Sequence, residues 1–173
     1  MDIKSKIRTV PHWPIKGVMF RDITTLLQDA KTFRYVCDEL YKRYKNRKIH
    51  VVVALESRGF IFGAVLAYKL GVGFVPIRKP GKLPYKTISA EYEKEYGKDR
   101  VEIHADAIKK GDKVLIVDDL IATGGTSSAA IELVERLGGK VEECAFVVDL
   151  PDLKGKDKMK GYKIFTMVEF KGE

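Results

Sequence analysis

The chain has 173 residues, enough to bury one hydrophobic core, and this length predicts a single domain over residues 1–173. Hydrophobic residues make up 45% and charged residues 32%, and the longest apolar stretch without a charge (59–68) is far shorter than the ~20 residues of a membrane span, which excludes a transmembrane protein. Lysine and arginine exceed aspartate and glutamate by 32 − 24 = 8, so the charge permits nucleic acid, a membrane surface or a phosphorylated metabolite as partner.

Hydrophobic periodicity predicts alternating helices and strands after an irregular N-terminal stretch that runs to about residue 27. The predicted elements are a helix (32–45), a strand (49–55), a helix (60–70), a strand (73–77), a strand (114–118), a helix (126–137), a strand (141–148) and an edge strand (163–168). Gly71 is expected to end the second helix. Between residues 80 and 104 the chain is polar and charged, which predicts a flexible excursion with strand-like flanks at 87–91 and 100–104.

The N-terminus, the cysteines and the basic clusters bear on location and partners. Residues 1–13 carry charges but no apolar core segment, so no secretory signal is expected. Cys37 and Cys144 lie far apart and outside any CxxC motif, which favours packing thiols in a reduced, cytoplasmic protein. Basic residues cluster at 42–48 and 154–160, and both groups are expected to be solvated surface.

The alternation of strands and helices predicts an α/β fold with a mostly parallel central sheet flanked by helices. Ligands bind beyond the carboxyl ends of such strands, here the loops after Leu55, Ile77 and Val117. The sequence contains no GxGxxG, P-loop, GxSxG or HExxH motif, and its three histidines are isolated. Rossmann dehydrogenases, hydrolase triads and metalloenzymes are therefore disfavoured, and no protein metal cluster is expected.

The most informative segment is VLIVDDLIATGGTSSAA, residues 114–130. An apolar strand ends at two adjacent acids, Asp118 and Asp119, and a small glycine-bearing loop then leads into a helix. Backbone N–H groups of such a loop bind an anion at the helix N-terminus, and the hydroxyls of Thr123 and Thr126 add donors. Two acids repel phosphate but suit the paired hydroxyls of a ribose, so we interpret the segment as a ribose-5-phosphate site. The alternative is a capped turn with a chance acidic pair.

Part of this segment, VLIVDDLIATGGT, resembles the phosphoribosyl pyrophosphate (PRPP) motif of the type I phosphoribosyltransferases. Further segments resemble the adenine-specific members of that family, in the family's order and over nearly the whole chain: PHWPIKGVMFRDIT, ALESRGFIFG, PIRKPGKLP, EYEKEYGKDRVEIH and VVDLPDLKG. The resemblance implies the type I phosphoribosyltransferase fold, with a base-binding hood over about residues 1–30 and a flexible catalytic loop. It also implies transfer of the 5-phosphoribosyl group from PRPP to adenine, which gives AMP and pyrophosphate in purine salvage.

The resemblance further implies three groups of binding residues. Phosphoribosyl binding is expected at Asp118, Asp119, Ala122, Thr123, Gly124, Gly125 and Thr126. Pyrophosphate binding is expected at Glu56, Ser57, Arg58, Arg78, Lys79 and Lys82, with a non-proline cis peptide near Glu56–Ser57. Adenine is expected between Phe20 and Leu150, with backbone groups near Met19 and Arg21 reading the edge of the base.

The resemblance also implies that Glu95, Tyr96 and Arg58 take part in catalysis. Glu95 is the acid expected near the adenine imidazole, where it manages a proton while N9 attacks. Closure of its loop would exclude water from an oxocarbenium-like ribose. Magnesium is expected to ride on the pyrophosphate and ribose oxygens of the substrate rather than on a protein cluster. The resemblance also implies a homodimer, in which pyrophosphate contacts can cross the interface.

Each assignment has an alternative. Arg58 can be a structural arginine, Phe20 a core residue, Arg21 and Asp22 a local ion pair, and residues 78–82 plain surface charge. The catalytic loop can be a charged cover without a chemical role.

A rival activity is the same transfer to xanthine, guanine or orotate. A rival class is a regulator that senses PRPP and binds nucleic acid, although only about 30 residues precede the first long helix, too few for a DNA-binding appendage. Neither a nucleic acid nor a membrane is expected as partner.

Overall fold

The structure is a computed structural model that describes residues 1–94 and 97–172. In chain order, the strands and α-helices of these residues are β1 (Arg8–Pro11), β2 (Met19–Asp22), α1 (Thr24–Gln28), α2 (Ala30–Tyr44), β3 (Val51–Leu55), α3 (Arg58–Leu70), β4 (Gly73–Ile77), β5 (Thr87–Glu93), β6 (Lys98–His104), β7 (Lys113–Ile121), α4 (Gly125–Arg136), β8 (Lys140–Asp149) and β9 (Ile164–Glu169). Short 3-10 turns lie before β1 (Lys4–Lys6) and between β8 and β9 (Pro151–Leu153 and Gly155–Met159).

The central sheet has the strand order β4-β3-β7-β8-β9, and its neighbouring strands pair in parallel. The α/β architecture predicted from the alternating pattern is therefore confirmed, and β9 lies at a sheet edge as expected. All five residues of β3 are buried, because the strand is covered on both faces. Parallel pairing brings the carboxyl ends of β3, β4 and β7 to one edge of the sheet.

Helices and a hairpin cover the two faces of the sheet. Alternate residues of a strand point to opposite faces, so Val52 packs with α2 and α3, whereas Val53 packs with α4 and the β5–β6 hairpin. Both faces are filled by aliphatic and aromatic side chains, among them Phe62 on the first face and Phe146 on the second. The central sheet is therefore covered by apolar side chains on both faces.

The predicted ends of the sheet strands and of α2, α3 and α4 lie within three residues of the observed ends. Helix α2 begins two residues earlier than predicted because the carboxylate of Asp29 accepts hydrogen bonds from the Lys31 and Thr32 backbone N–H groups, both at 3.0 Å. Helix α3 ends at Gly71 as predicted, and this glycine adopts the left-handed conformation with φ +68°.

The prediction of an irregular N-terminal stretch is wrong. This part of the chain contains an antiparallel pair of strands, β1 and β2. The pairing of Arg8 with Asp22 is reinforced by their ion pair, with 2.5 Å between Nη2 and Oδ2. Each strand has only four residues, and the connection includes Pro14 after a cis peptide bond. Strands of four residues are too short to show a readable alternation of polar and apolar residues, so the sequence prediction failed here.

The charged excursion forms a second antiparallel hairpin. Strands β5 and β6 pair from Thr87 opposite His104 to Glu93 opposite Lys98, which confirms the predicted strand-like flanks. Arg78 and Glu102 exchange backbone hydrogen bonds of 3.0 and 2.7 Å and join the hairpin to the end of β4. The hairpin therefore starts beside the carboxyl edge of the sheet. Among the described residues, no helix has both the length and the apolar character that crossing a membrane requires.

Candidate active site

A cavity of about 400 Å³ opens at the carboxyl edge of the central sheet. Its walls come from the loop after β3, the loop after β4, and the end of β7 with the start of α4. The lining residues are Glu56, Ser57, Arg58, Lys79, Asp118, Asp119, Leu120, Ile121, Ala122, Thr123, Gly124, Gly125, Thr126 and Ser127. Each residue predicted to bind the phosphoribosyl group lies in this wall, together with four of those predicted to bind pyrophosphate. The cavity falls in the size range of small-molecule sites.

The loop between β7 and α4 presents a helix N-terminus to the cavity. Gly124 precedes the helix in the left-handed conformation with φ +75°, which a residue with a Cβ rarely adopts. The backbone N–H of Ser128 donates to the Gly124 carbonyl at 2.9 Å, so the N–H groups of residues 125–127 lie ahead of this first helical bond. Such groups, at the positive end of a helix of 12 residues, attract a phosphate.

A second glycine holds this loop from behind. Gly155 lies in the 3-10 turn after β8, and a Cβ there would come within 2.2 Å of the Ala122 carbonyl oxygen. A Cβ on Gly124 would in turn come within 2.2 Å of the Gly155 carbonyl oxygen. The two backbones touch with no room for a side chain between them. The sequence prediction missed Gly155, because the contact joins segments about thirty residues apart in the chain.

The two adjacent acids at the end of β7 lie in different surroundings. Asp119 is 3% exposed, and its Oδ2 lies 2.6 Å from Arg58 Nε, close enough for an ion pair but without the alignment of a hydrogen bond. The Asp118 carboxylate accepts the backbone N–H of Asp119 at 2.8 Å. Burial and the neighbouring charge of Asp119 raise the pKa of Asp118 well above its ordinary value. A full negative charge on both carboxylates is therefore unfavourable, and only Asp119 has an arginine beside it.

The loop after β3 packs closely on this acidic pair. Its Glu56–Ser57 bond is a cis peptide, as the resemblance implied. A Cβ on Gly59 would lie 2.8 Å from Asp118 Oδ1, so only glycine allows α3 to approach the end of β7 this closely. The Arg58 guanidinium, paired with Asp119, also lies over the Phe20 ring at 5.4 Å from the ring centroid. Arg58 thus touches both the acidic pair and the residue expected to stack on adenine.

The three basic residues after β4 have different surroundings. Lys79 lines the cavity and donates to the Tyr92 hydroxyl at 2.6 Å and to the Asp99 carboxylate. Arg78 pairs with Glu56 at 2.7 Å between Nε and Oε2, so it braces the cis loop. Lys82 is exposed and is absent from the cavity lining. The structure therefore brings Lys79 directly to the cavity wall and Arg78 behind it.

The residues expected to bind adenine lie beside the cavity rather than in its lining. Phe20 is half-buried, and the indole of Trp13 meets it edge to face with 4.4 Å between centroids. Leu150 is buried, and its N–H donates to the Ile121 carbonyl at 3.0 Å, which ties it to the end of β7. Met19 and Phe20 share strand β2 with Arg21. The sequence prediction missed Trp13, because nothing in the proline-rich segment around it indicates a contact with the Phe20 ring.

Arg21 and Asp22 make contacts elsewhere. The Arg21 guanidinium donates to Thr9 Oγ1 at 2.7 Å and lies 4.6 Å from the Phe170 ring centroid. Asp22 pairs with Arg8 across the β1–β2 hairpin, and its hydrogen bonds from Thr24 and Arg8 lower its pKa to about 2. These contacts join β1 to β2 and hold β2 against Phe170. Glu95 and Tyr96, the predicted catalytic residues, lie outside the described residues.

Comparisons with known proteins agree on one family. Residues 23–173 match the phosphoribosyl transferase domain. Adenine phosphoribosyltransferase of Desulfosudis oleivorans is 62% identical over 173 residues, which cover 100% of both chains. The crystal structure of adenine phosphoribosyltransferase from Thermoanaerobacter pseudethanolicus superposes with a TM-score of 0.95 at 53% identity over 98% of both chains.

A third comparison adds ligands. The Saccharomyces cerevisiae adenine phosphoribosyltransferase, crystallised with an imino-altritol bisphosphate and adenine, superposes with a TM-score of 0.90 at 44% identity over 96% of this chain and 97% of that one. Similarity at these levels, over the full length and around a cavity that joins the N-terminus of α4 to an acidic pair, leaves one assignment. The chain belongs to the adenine phosphoribosyltransferase family, pentosyltransferases of purine salvage that convert adenine and PRPP into AMP and pyrophosphate.

Proposed function

We propose that this chain catalyses that transfer in the cytoplasm, within a single domain of residues 1–173 whose first 30 or so residues form the base-binding hood. The observation that carries the proposal is the single cavity into which the cis loop, the acidic pair and the N-terminus of α4 all open. A phosphate, a ribose and a pyrophosphate are covalently joined in PRPP. Their binding groups are therefore expected in one continuous pocket, and a cavity lined by Arg58, Asp119 and Thr126 together supports the proposal.

Phosphoribosyl binding is assigned to the wall formed by β7 and α4. The backbone N–H groups of residues 125–127, with the hydroxyls of Thr123 and Thr126, would hold the 5′-phosphate. Asp118 and Asp119 would accept hydrogen bonds from the two ribose hydroxyls. The buried Oδ2 of Asp119 accepts no hydrogen bond from the described residues. A ribose hydroxyl could donate the missing hydrogen bond, which supports this role. Neutral donors would also relieve the charge repulsion that raises the pKa of Asp118.

Pyrophosphate binding is assigned to the loops after β3 and β4. Arg58 and Lys79 would bind its oxygens directly, the former through a forked set of donors. Glu56 and Ser57 of the cis loop, Arg78 and Lys82 complete the predicted group. Magnesium would enter bound to the pyrophosphate and ribose oxygens of the substrate, and the nearby carboxylates of Asp118 and Asp119 are oxygen groups of the kind that suit its bound waters. The ion supplies neutralisation of the leaving group.

The base and the proton are assigned to the hood and the catalytic loop. Phe20 and Leu150 would sandwich adenine, while backbone groups near Met19 and Arg21 read its edge. In the reaction, the bond from ribose carbon 1 to the pyrophosphate oxygen breaks, and adenine N9 forms the new bond to that carbon. Glu95, with Tyr96 beside it in the loop, would manage the proton that the imidazole of adenine loses.

The test is an assay of product identity. The protein is incubated with PRPP, magnesium and one nucleobase at a time, and the nucleotides are identified by mass. AMP from adenine alone is expected, and chelation of magnesium should abolish turnover. A nucleotide of another base would overturn the adenine assignment, and no product despite PRPP binding would favour a sensor. Arg58→Ala and Glu95→Gln should each lower kcat/KM by about a hundredfold or more, whereas Glu91→Gln, at an exposed position of β5, should leave it unchanged.

We further propose that the protein is a homodimer that meets through α3 and β4. Ile61 and Tyr68 on α3 and Phe74 on β4 are large apolar side chains left exposed, Tyr68 at 86%. Exposed apolar groups of this size favour a protein contact. Strand β4 leads directly to Arg78, so such a contact would lie beside the pyrophosphate site. Sedimentation should give twice the monomer mass, and Tyr68→Asp should shift the protein toward monomer; a monomeric wild-type protein would contradict the proposal.

A further inference from the structure

An ionic cluster lies near the turn of the β5–β6 hairpin, against the wall of the cavity. The Lys79 ammonium donates to the Tyr92 hydroxyl at 2.6 Å and to the Asp99 carboxylate. The Lys94 ammonium lies 2.5 Å from the same carboxylate, and the Tyr92 hydroxyl is 3.1 Å from it. Asp99 thus takes contacts from two cations and one hydroxyl, and one of those cations lines the cavity.

The hairpin reaches both ends of the cavity through this cluster. At one end, Lys79 lines the wall expected to hold pyrophosphate. At the other, a Cβ on Gly125, the first residue of α4, would lie 2.9 Å from Cδ2 of the Tyr92 ring. Tyr92 therefore packs on the phosphate loop with its ring and on Lys79 with its hydroxyl. Lys79 is thus in direct contact with both strands of the hairpin.

The charges in the cluster are real and only partly exposed to water. Hydrogen bonds from Lys79 and Lys94 hold the pKa of Asp99 below its usual range, so the group is a carboxylate at neutral pH. Burial lowers the pKa of Lys79, but its bonds to Asp99 and Tyr92 outweigh this and raise it. The side chains of Lys79 and Asp99 are 38% and 23% exposed, so solvent screens their attraction incompletely.

We propose that Asp99 is an internal counter-ion of the pyrophosphate site, which offsets the charge of Lys79 and so weakens the binding of pyrophosphate and PRPP. The inference rests on the proposed function of the cavity. An ammonium already neutralised by a carboxylate has less electrostatic free energy to give to a second anion. When pyrophosphate is the product, the Asp99 carboxylate competes with it for the Lys79 ammonium. This competition favours release of pyrophosphate.

The experiment is calorimetric titration of inorganic pyrophosphate with magnesium into the protein, which needs no turnover. Asp99→Asn keeps the shape and an acceptor for Lys79 but removes the charge, and it should bind pyrophosphate about two- to fivefold more tightly, the scale of one partly screened ion pair. Asp99→Glu restores the charge and should return toward the wild-type affinity. The affinity for AMP, which has no pyrophosphate group, should not change in either variant.

Two controls separate a specific counter-ion from a general effect of charge. Glu91→Gln removes one negative charge from the same hairpin at a position that is 63% exposed and 3.7 Å from Lys98, and it should leave pyrophosphate binding unchanged. In a Lys79→Gln background, Asp99→Asn should give no further gain, because its target is absent.

The outcomes are distinct. Tighter binding in Asp99→Asn that disappears without Lys79 supports the counter-ion. Unchanged or weaker binding in Asp99→Asn, or an equal gain in the Lys79→Gln background, overturns it. A wild-type protein that binds AMP but no pyrophosphate would overturn both this inference and the assignment of the cavity. Pyrophosphate binding without any transferase activity would instead contradict the proposed reaction and leave the counter-ion standing on its own measurement.

Discussion

At the scale of single residues, the site contains two adjacent carboxylates whose charges lower the stability of the folded protein. Asp118 and Asp119 are adjacent carboxylates at the end of a buried strand, and Arg58 compensates one of them with a single close contact. Functional sites often keep such unfavourable charge because the ligand relieves it. Here the ribose hydroxyls are expected to reduce the repulsion between the two carboxylates. Removal of one charge should therefore stabilise the free protein and lower its activity.

Asp118→Asn should therefore stabilise the free protein while reducing its activity. The pKa of Asp118 is raised, so its favourable contribution is present below the ordinary value near ~3.9 and is lost as pH rises through the raised value. At pH 7 the variant should unfold about 2–4 °C higher, a gain of about 1 kcal/mol, and this difference should shrink toward pH 4. kcat/KM should fall about 10- to 100-fold through the lost charged hydrogen bond. Thermal unfolding from pH 4 to 8 checks the first part; Asp106→Asn, at an exposed position, should change neither.

Trp13 provides a direct probe of base binding. It is the one tryptophan of the chain and meets the Phe20 ring at 4.4 Å between centroids. Adenine stacked on Phe20 should change the tryptophan emission, whereas pyrophosphate should not. Phe20→Ala should abolish this signal and raise KM for adenine about tenfold, with little change in KM for PRPP. Equal effects on both substrates would show that Phe20 serves the fold of the hood instead.

At the scale of elements, the phosphate loop owes its shape to a neighbour from another part of the chain. The turn after β8 presses the backbone of Gly155 against Ala122 and Gly124. Lys156, the next residue, lies 2.5 Å from the buried Oδ2 of Asp149 and pins the turn to the end of β8. The loop that would hold the 5′-phosphate is therefore clamped between α4 and this turn, which limits the ways in which it can move.

Gly155→Ala should displace the phosphate loop. The new methyl would stand 2.2 Å from the Ala122 carbonyl oxygen, and the overlap should cost about 1–3 kcal/mol of stability. KM for PRPP and the Kd for AMP should rise about tenfold, because both ligands carry the 5′-phosphate. Gly73→Ala is the matched control, since its Cβ would meet Val51 Cγ2 at an ordinary 3.8 Å. An unaffected KM for PRPP in Gly155→Ala would show that the loop does not need this clamp.

At the scale of the whole molecule, a buried carboxylate far from the cavity joins α2 to the sheet. Glu143 near the start of β8 is 3% exposed and accepts bonds from Arg43 at 2.8 and 2.9 Å, from Arg47 at 2.9 Å and from the Tyr44 hydroxyl at 2.6 Å. The sequence pattern predicted that the basic cluster at residues 42–48 is solvated surface. For Arg43 and Arg47 this prediction is wrong, because both pair with the buried Glu143. The excess of arginine here serves the fold rather than an anionic partner.

Glu143→Gln should destabilise the protein by about 3 kcal/mol at neutral pH, since it leaves two arginines beside a neutral buried group. Burial raises the pKa of Glu143, but the bonds from Arg43 and Tyr44 outweigh it and lower the pKa. The stabilisation is therefore present above the ordinary value near ~4.3 and is lost as pH falls through the lowered one, so the cost of the substitution should shrink in acid. Denaturant unfolding at pH 7 and pH 4 measures this; Glu132→Gln, at a 54% exposed position, should cost under ~0.5 kcal/mol.

Much of the fold was legible in local patterns. The apolar run of β3 and the amphipathic repeat of α2 predicted their positions because burial imposes a period on neighbouring residues. The β1–β2 hairpin had no such pattern, since its four-residue strands are too short for a local repeat and are joined by contacts such as the ion pair between Arg8 and Asp22.

The amino-acid sequence by itself determined the α/β class, the segment from Asp118 to Thr126 and the family, because the phosphate loop and its acidic pair are continuous in the chain. Only the tertiary structure decided which distant groups meet there. It set Arg58 on Asp119, Gly155 behind Gly124 and Asp99 on Lys79. The physical reason is that these contacts depend on strand order and register, which arise from packing over the whole core and leave no trace in the residues on either side.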